Sequence, residues 1–184
     1  MILIVSSRRP AQRTRSLIKD LNHVIPHSAR MNRGKKSIKD LQRIAVGMGY
    51  DRIMLISSKG GKPSTIRFIK VYPDGFEYLE GEIRILNVVL RREISNRRAP
   101  PMTSLCIFNV TNERECQLAK YLREGLNTEA FIDVNSINSI QQYGDEYDCA
   151  LLLKAIKEGF IIDFYHVHPF YELGPRLEVS FIGE

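Results

Sequence analysis

Tryptophan is absent from these 184 residues, and cysteine occurs only three times. Cys106, Cys116 and Cys149 cannot all pair and show no CxxC spacing, which excludes a disulfide framework and a thiolate zinc module. They are expected as reduced, packed thiols, a usage typical of intracellular chains, and a cytoplasmic location is expected with it. Long apolar runs are missing as well. The opening MILIV is five residues long and is followed by arginines, and LLLKAIKEGFIID is broken by charge, so neither a signal peptide nor a membrane contact is expected.

Catalytic signatures are equally scarce. No serine or cysteine sits in a nucleophile elbow or beside a base, and Asp145, Glu146 and Asp148 read as a solvated acidic turn. SSKGGKPS resembles a P-loop only in outline: Pro63 stands where a hydroxyl residue should follow Lys62, and a strand rather than a helix is expected next. His166 and His168 lie two apart, but only Asp163, Glu172, His23 and His27 offer further ligands, too dispersed for a zinc site. The expectation is a non-enzymatic protein with no metal, no cofactor and no small-molecule substrate.

What the chain has is positive charge, unevenly placed. Residues 1–98 carry 21 Lys and Arg against 8 Asp and Glu, net +13, whereas residues 99–184 carry 6 against 13, net −7. Such a division predicts one surface for a polyanion and another for a different partner. Within residues 6–39 there are ten basic residues and one acid, Asp20. Arg8 and Arg9 fall between an apolar run and Pro10, the expected turn from a strand into a helix, where free N–H groups suit phosphate. Arg13 and Arg15 continue the charge into the first helical turns, against the macrodipole preference for acids there. A second cluster, Asn32, Arg33, Lys35 and Lys36, precedes a second expected helix capped by Ser37, and Lys59 and Lys62 sit in what reads as a flexible basic loop, residues 58–64.

Periodicity predicts strands at 1–6, 28–31, 52–57, 66–72, 76–79 and 83–90, and helices at 10–24 and from 38 to about 48. Pro73-Asp74-Gly75 marks a hairpin turn. Pro100 and Pro101 mark an extended connection where the charge changes sign. Beyond it, strands are expected at 104–110, 131–134, 147–155, 160–167 and 176–182, with a helix carrying Cys116, Leu118, Ala119, Leu122 and Leu126 capped by Thr111 or Asn112, and a brief helix at 137–143. The order met in the first half recurs in the second, and Tyr50-Asp51 and Tyr147-Asp148 open corresponding strands, which suggests duplication in an α/β fold. Phe68, Tyr72, Phe76 and Tyr78 fall at strand spacing beside basic residues, open either to base stacking or to core packing.

SSRRPAQRTRSLIKDL, MNRGKKSIKDL and YELGPRLEVSFI, in this order and position, resemble the Brix-domain family of ribosome-biogenesis proteins in its short archaeal form, over nearly the whole chain. The resemblance rests on Ser7-Arg8-Arg9-Pro10, Arg13-Thr14-Arg15-Ser16, Asn32-Arg33-Gly34-Lys35 and Glu172-Leu173-Gly174-Pro175-Arg176. It implies one domain over 1–184, made of a basic half (1–98) and an acidic half (99–184). Each half would be a mixed β-sheet with packed helices, similar to the anticodon-binding domain of class IIa aminoacyl-tRNA synthetases. It further implies binding of precursor ribosomal RNA during processing and subunit assembly, without catalytic residues, alongside other ribosome-assembly proteins. Gly174-Pro175-Arg176 corresponds to the family's sigma-factor-like motif. By their own physics, Gly174 and Pro175 form a turn and Arg176 offers an ion-pair partner to the acidic half. The RNA-binding residues expected are Arg8, Arg9, Arg13, Arg15, Asn32, Arg33, Lys35, Lys36, Lys59 and Lys62. The alternative is a protein-interaction scaffold whose groove between halves receives a partner and touches RNA only incidentally.

Overall fold

The β-branched run at the start of the chain forms strand β1 (Ile2–Ser6), every residue of which is buried. In a computed structural model, which describes residues 1–111 and 116–183, β1 is followed by helix α1 (Gln12–Val24), β2 (Ser28–Met31) and α2 (Ile38–Gly47). Then come β3 (Arg52–Lys59), β4 (Lys62–Tyr72), β5 (Gly75–Tyr78), β6 (Glu82–Val89) and a single turn of helix, α3 (Arg91–Ile94). The remainder is β7 (Leu105–Asn109), α4 (Gln117–Leu126), β8 (Phe131–Asp133), a 3-10 turn (Ile137–Tyr143), β9 (Cys149–Ile156), β10 (Gly159–His166), β11 (Tyr171–Glu172) and β12 (Arg176–Ile182). α4 has Cys116 as its N-cap residue, which corrects the expected cap Thr111; the other expected cap, Asn112, lies outside the described residues. Among the described residues, no helix is long and apolar enough to cross a membrane.

All twelve strands join one mixed sheet in the order β2-β1-β3-β4-β6-β12-β10-β9-β7-β8, with β5 added to β4 and β11 to β10. The expected pair of separate sheets is therefore corrected to one. The reason is β6 pairing with β12 from Arg176↔Val89 to Ile182↔Glu82, which removes two free edges at once. β1, β2 and β3 are parallel, and each step from β3 through β4, β6, β12 and β10 to β9 is antiparallel. The C-terminal ends of β1, β2, β3, β6 and β10 consequently share one edge of the sheet.

Helices cover the sheet unequally. α1 turns Leu17, Ile18, Leu21 and Val24 onto one face, beside Leu118, Ala119, Tyr121 and Leu122 of α4, and together with Ile4, Ile56, Phe68, Ile83, Leu151 and Phe164 they form the largest apolar cluster. α2 covers the opposite face at one end through Leu41 and Ala45, and the 3-10 turn covers it at the other through Ile140. α4 approaches β4 so closely that a Cβ on Gly125 would run into the Phe68 ring. The Tyr121 hydroxyl accepts from Phe68 N–H at 3.1 Å and donates to the Gly81 carbonyl at 3.0 Å, so this buried phenol is satisfied on both sides. Phe68 is thus core, which removes it from the base-stacking alternative.

Two expectations about local structure change. Residues 58–64 are not a flexible loop. β3 and β4 continue to Lys59↔Lys62, and the turn is reduced to Gly60 and Gly61, both at positive φ (57° and 77°), the pair that a tight hairpin with the strand twist requires. The stretch after β6 is not wholly extended either. The Glu93 carboxylate accepts from Leu90 N–H at 2.7 Å and Asp20 accepts from Arg91 N–H at 2.9 Å, and these two acids hold the α3 turn in place.

Candidate nucleic-acid interface

Each basic cluster leaves the sheet by the same edge, because each follows or precedes a strand end located there. The β1–α1 turn is fixed from beneath by β3. Ser7 N–H donates to the Ile56 carbonyl at 2.8 Å, Ala11 N–H to Ser58 Oγ at 3.3 Å, and the Thr14 and Ser58 hydroxyls are 2.7 Å apart. Thr14 is fully buried, so the polar side of this turn faces inward and the arginines face out. Arg8, Arg9 and Arg15 are exposed, and among the described residues none of them is in an ion pair. Arg15 reaches only the Pro10 carbonyl, at 3.4 Å. The helix opens at Gln12, two residues after Pro10, and its N-cap residue Ala11 supplies no side-chain cap, with no acid in the first turn. Its leading N–H groups are left to solvent or to an anion.

The second cluster is built differently. Gly34 takes φ 58° in the turn, Arg33 N–H donates to Ser6 Oγ at 3.3 Å, and Arg33 Nε donates to the Lys36 carbonyl at 2.9 Å. Asn32 and Lys35 are exposed, and Lys36 half-buried. The helix behind them caps itself: Asp40 N–H donates to Ser37 Oγ at 3.1 Å, and Ser37 N–H to Asp40 Oδ2 at 2.9 Å. The Ser37 hydroxyl, donating to Asp40 Oδ2 at 2.7 Å, and then Ser37 N–H hold the Asp40 carboxyl below its usual range. The N-termini of α1 and α2 are therefore unlike, one open to an anion and one already occupied by a carboxylate. Lys59 and Lys62 face each other at the tip of the β3–β4 hairpin on the same edge, both exposed.

Arg13 needs correction as a free phosphate ligand. Its guanidinium donates to both Glu93 oxygens at 2.8 Å and to the Val88 carbonyl at 2.6 Å. Together with Leu90 N–H, that contact pulls the Glu93 carboxyl down to about 2. Arg13 is a tie between α1 and α3. Its partner lies eighty residues away, so no local pattern could reveal it.

Gly174, Pro175 and Arg176 also sit at this edge, at the start of β12, but they work inward. Gly174 has φ 66°, and a Cβ there would lie 2.5 Å from Ile94 Cδ1, so glycine is what lets α3 seat against the segment before β12. Arg176 Nε donates to Asp163 Oδ2 at 3.1 Å and its Nη2 to Glu172 Oε1 at 2.5 Å, the structural ion pair that the residue type suggested. Burial, and then the neighbouring Glu172 carboxylate, push the Asp163 carboxyl up to about 7.

Arg91, Arg92, Arg97 and Arg98 are not among the RNA-binding residues expected from sequence. Four arginines in eight residues are signal enough, but beside Pro100 and Pro101 they read as a charged connection. Tethered by Arg13–Glu93 and Arg91–Asp20, residues 91–98 extend the cationic strip from the β1–α1 turn across the end of β6. Tyr72 and Phe76 are exposed near the opposite edge, away from the strip. Among the described residues no His, Cys, Asp and Glu cluster could hold a metal. Cys106, Cys116 and Cys149 are buried thiols outside any disulfide.

Fold and edge together define a mixed α/β protein that presents arginine-rich turns at one end of a single large sheet. No protein-family model matches the chain. A protein of Pyrococcus abyssi described as a probable Brix domain-containing ribosomal biogenesis protein is 34% identical, in an alignment covering 98% of this chain and 83% of the relative. The crystal structure of a probable ribosomal biogenesis protein from Aeropyrum pernix superposes with a TM-score of 0.73 at 22% identity, covering 97% of this chain and 94% of that one. An archaeal Imp4-like protein gives 0.63 at 18% identity, covering 99% of each chain. At those identities the structural likeness is one of fold. The sequence relationship carries the assignment: the chain belongs to the Brix domain-containing ribosomal biogenesis proteins.

Proposed function

We propose that this protein binds precursor ribosomal RNA through the basic edge of its sheet and acts in the cytoplasm as a non-catalytic assembly factor, holding one RNA fold while processing and subunit assembly proceed. The observation that carries the reading is the β1–α1 turn. Three exposed arginines without acidic partners, among the described residues, surround an uncapped helix N-terminus on a turn held rigid by Ser58. Fixed cations on turns read the phosphate backbone and its shape before they read bases. The ligands proposed are Arg8, Arg9 and Arg15, with Asn32, Arg33, Lys35, Lys36, Lys59 and Lys62 along the same edge. Arg13 positions the strip. The matching strand orders on either side of the β6–β12 pair support the duplication and the anticodon-binding-domain likeness as parts of the same reading.

RNA binding across a salt series tests it. Log affinity should fall with log salt by roughly 0.7–0.9 for each phosphate neutralised. Arg8→Ala/Arg9→Ala/Arg15→Ala should flatten that slope by roughly two to three phosphates' worth while remaining folded. Salt-independent binding, or an unchanged slope in the variant, would sink the reading.

One observation favours a scaffold role as a second reading. A cleft of about 340 Å³ between the α1 end of the molecule and the start of β7 is lined by Ile2, Ile25, Leu105, Leu126 and Tyr147. A protein partner seated there would survive nuclease treatment.

A further inference from the structure

β11 divides the chemistry at the end of β10 between the two faces of the sheet. Glu172 turns to one face, where Arg176 and Asp163 use it. Tyr171 turns to the other, the face of α1, where it is the cross-strand neighbour of His166. The two rings stack in parallel, with centroids 5.1 Å apart and an interplanar angle of 8°. His166 Nδ1 lies 3.0 Å from the Pro169 carbonyl, which fixes that ring. The guanidinium carbon of Arg97 lies over Tyr171, 4.7 Å from the ring centre. A histidine, a tyrosine and a guanidinium thus make a preassembled planar stack at the same edge as the basic turns.

Holding down the connection after α3 is not a sufficient purpose for this stack. An exposed cation–π contact stabilises by only about 0.5–1 kcal/mol, and a leucine at either position would pack as well. The charge around the stack is only partly compensated, by Asp20 and Glu93. The only acid within 91–98 is Glu93, and Arg13 occupies both of its oxygens. Arg92, Arg97 and Arg98 are exposed, and none is in an ion pair among the described residues. Planar groups ringed by unpaired arginines are the chemistry that receives an unpaired nucleobase: a base stacks on the guanidinium or aromatic plane while neighbouring cations hold its flanking phosphates.

We infer that Arg97, Tyr171 and His166 form a base-stacking subsite for a single-stranded nucleotide of RNA, with Arg92 and Arg98 placed for the phosphates on either side. The inference rests on the RNA-binding reading above and adds to it a preference: RNA with an unpaired segment beside a helix, the helix on the basic edge and the unpaired base on the stack. Arg176, on the other face, takes no part.

The test compares a blunt RNA hairpin with the same hairpin carrying a short single-stranded extension that contains 2-aminopurine. The wild type should bind the extended RNA about tenfold more tightly and quench the 2-aminopurine fluorescence. Arg97→Lys keeps the charge and loses the plane, so the ratio of the two affinities should fall to near one and the quench should vanish. Tyr171→Leu should do the same, with folding of both variants checked by circular dichroism. If Tyr171→Leu does not fold, Arg97→Lys decides alone. Salt-dependent binding of both RNAs with no preference, or a preference retained in Arg97→Lys, overturns the stacking subsite and leaves the RNA reading standing. Binding of neither RNA overturns the RNA reading and the subsite with it.

Discussion

Two arginine-bearing turns stand at the same edge of the sheet and have opposite fates. In residues 7–15 the arginines point away from buried Thr14 and half-buried Ser58 and meet no acid, apart from Arg13. In the turn before β12, Arg176 is met by Asp163, which is 2% exposed, and by Glu172. The same side chain is a spare cation in one place and half of a buried network in the other. Residue type and motif do not decide which; local compensation does. An arginine that the protein has already neutralised has little left to offer an RNA, whereas one that it leaves unpaired costs the fold nothing when removed.

Breaking the network should show the largest effect. Arg176→Leu leaves Asp163 and Glu172 facing each other at low exposure. Thermal or denaturant unfolding should register a loss of about 2–3 kcal/mol, below the value for a fully buried pair because Arg176 is 39% exposed. RNA affinity of the folded fraction should hardly move. The converse is Arg8→Ala/Arg9→Ala, whose unfolding free energy should stay within about 0.5 kcal/mol of the wild type even as RNA binding weakens. Arg13→Ala sharpens the contrast by falling between them. Unfolding should reveal a loss of about 1 kcal/mol from a partly exposed bidentate pair, and amide exchange around residues 90–94 should speed up as α3 loosens.

The last effect is on pH. The folded Asp163 carboxyl, at about 7, stands above its unfolded value, so between pH 4 and 7 the folded state binds the extra proton. Stability from this group is therefore greatest at low pH and falls as pH rises through 7. Relative to Asp163→Asn, the wild type should lose about 1 kcal/mol between pH 6 and 8 in parallel denaturant titrations. A wild type that instead gains stability against Asp163→Asn over that range would show Arg176 outweighing burial.

Elements were legible wherever an apolar run or helical stripe announced them: β12 at residues 176–182, and α2 with its Ser37 cap, are where the residues place them. Elements held by distant partners were not. α3 depends on Asp20 meeting Arg91 N–H and on Arg13 meeting Glu93 across the fold, β11 is two residues long, and Gly60-Gly61 reads as looseness because the pairing of β3 and β4 to the tip is not local. The basic turns of the candidate site were visible as charge density. Their gathering on one edge was not, since it follows from strand direction. The roles of Arg13 and Arg176 were hidden for the same reason that α3 was: the acids that claim them come from elsewhere in the chain.

The pairing of β6 with β12 also bears on the order in which the protein is made. About 90 residues separate the two strands, so at roughly 5–20 residues per second the ribosome exposes β6 for several seconds before its partner exists. Through that interval the backbone of β6, with Ile83, Ile85 and Val88 behind it, is an open strand edge in a growing chain. A chain truncated before Arg176 would carry the same open edge permanently, and self-association is the expected fate of such a fragment.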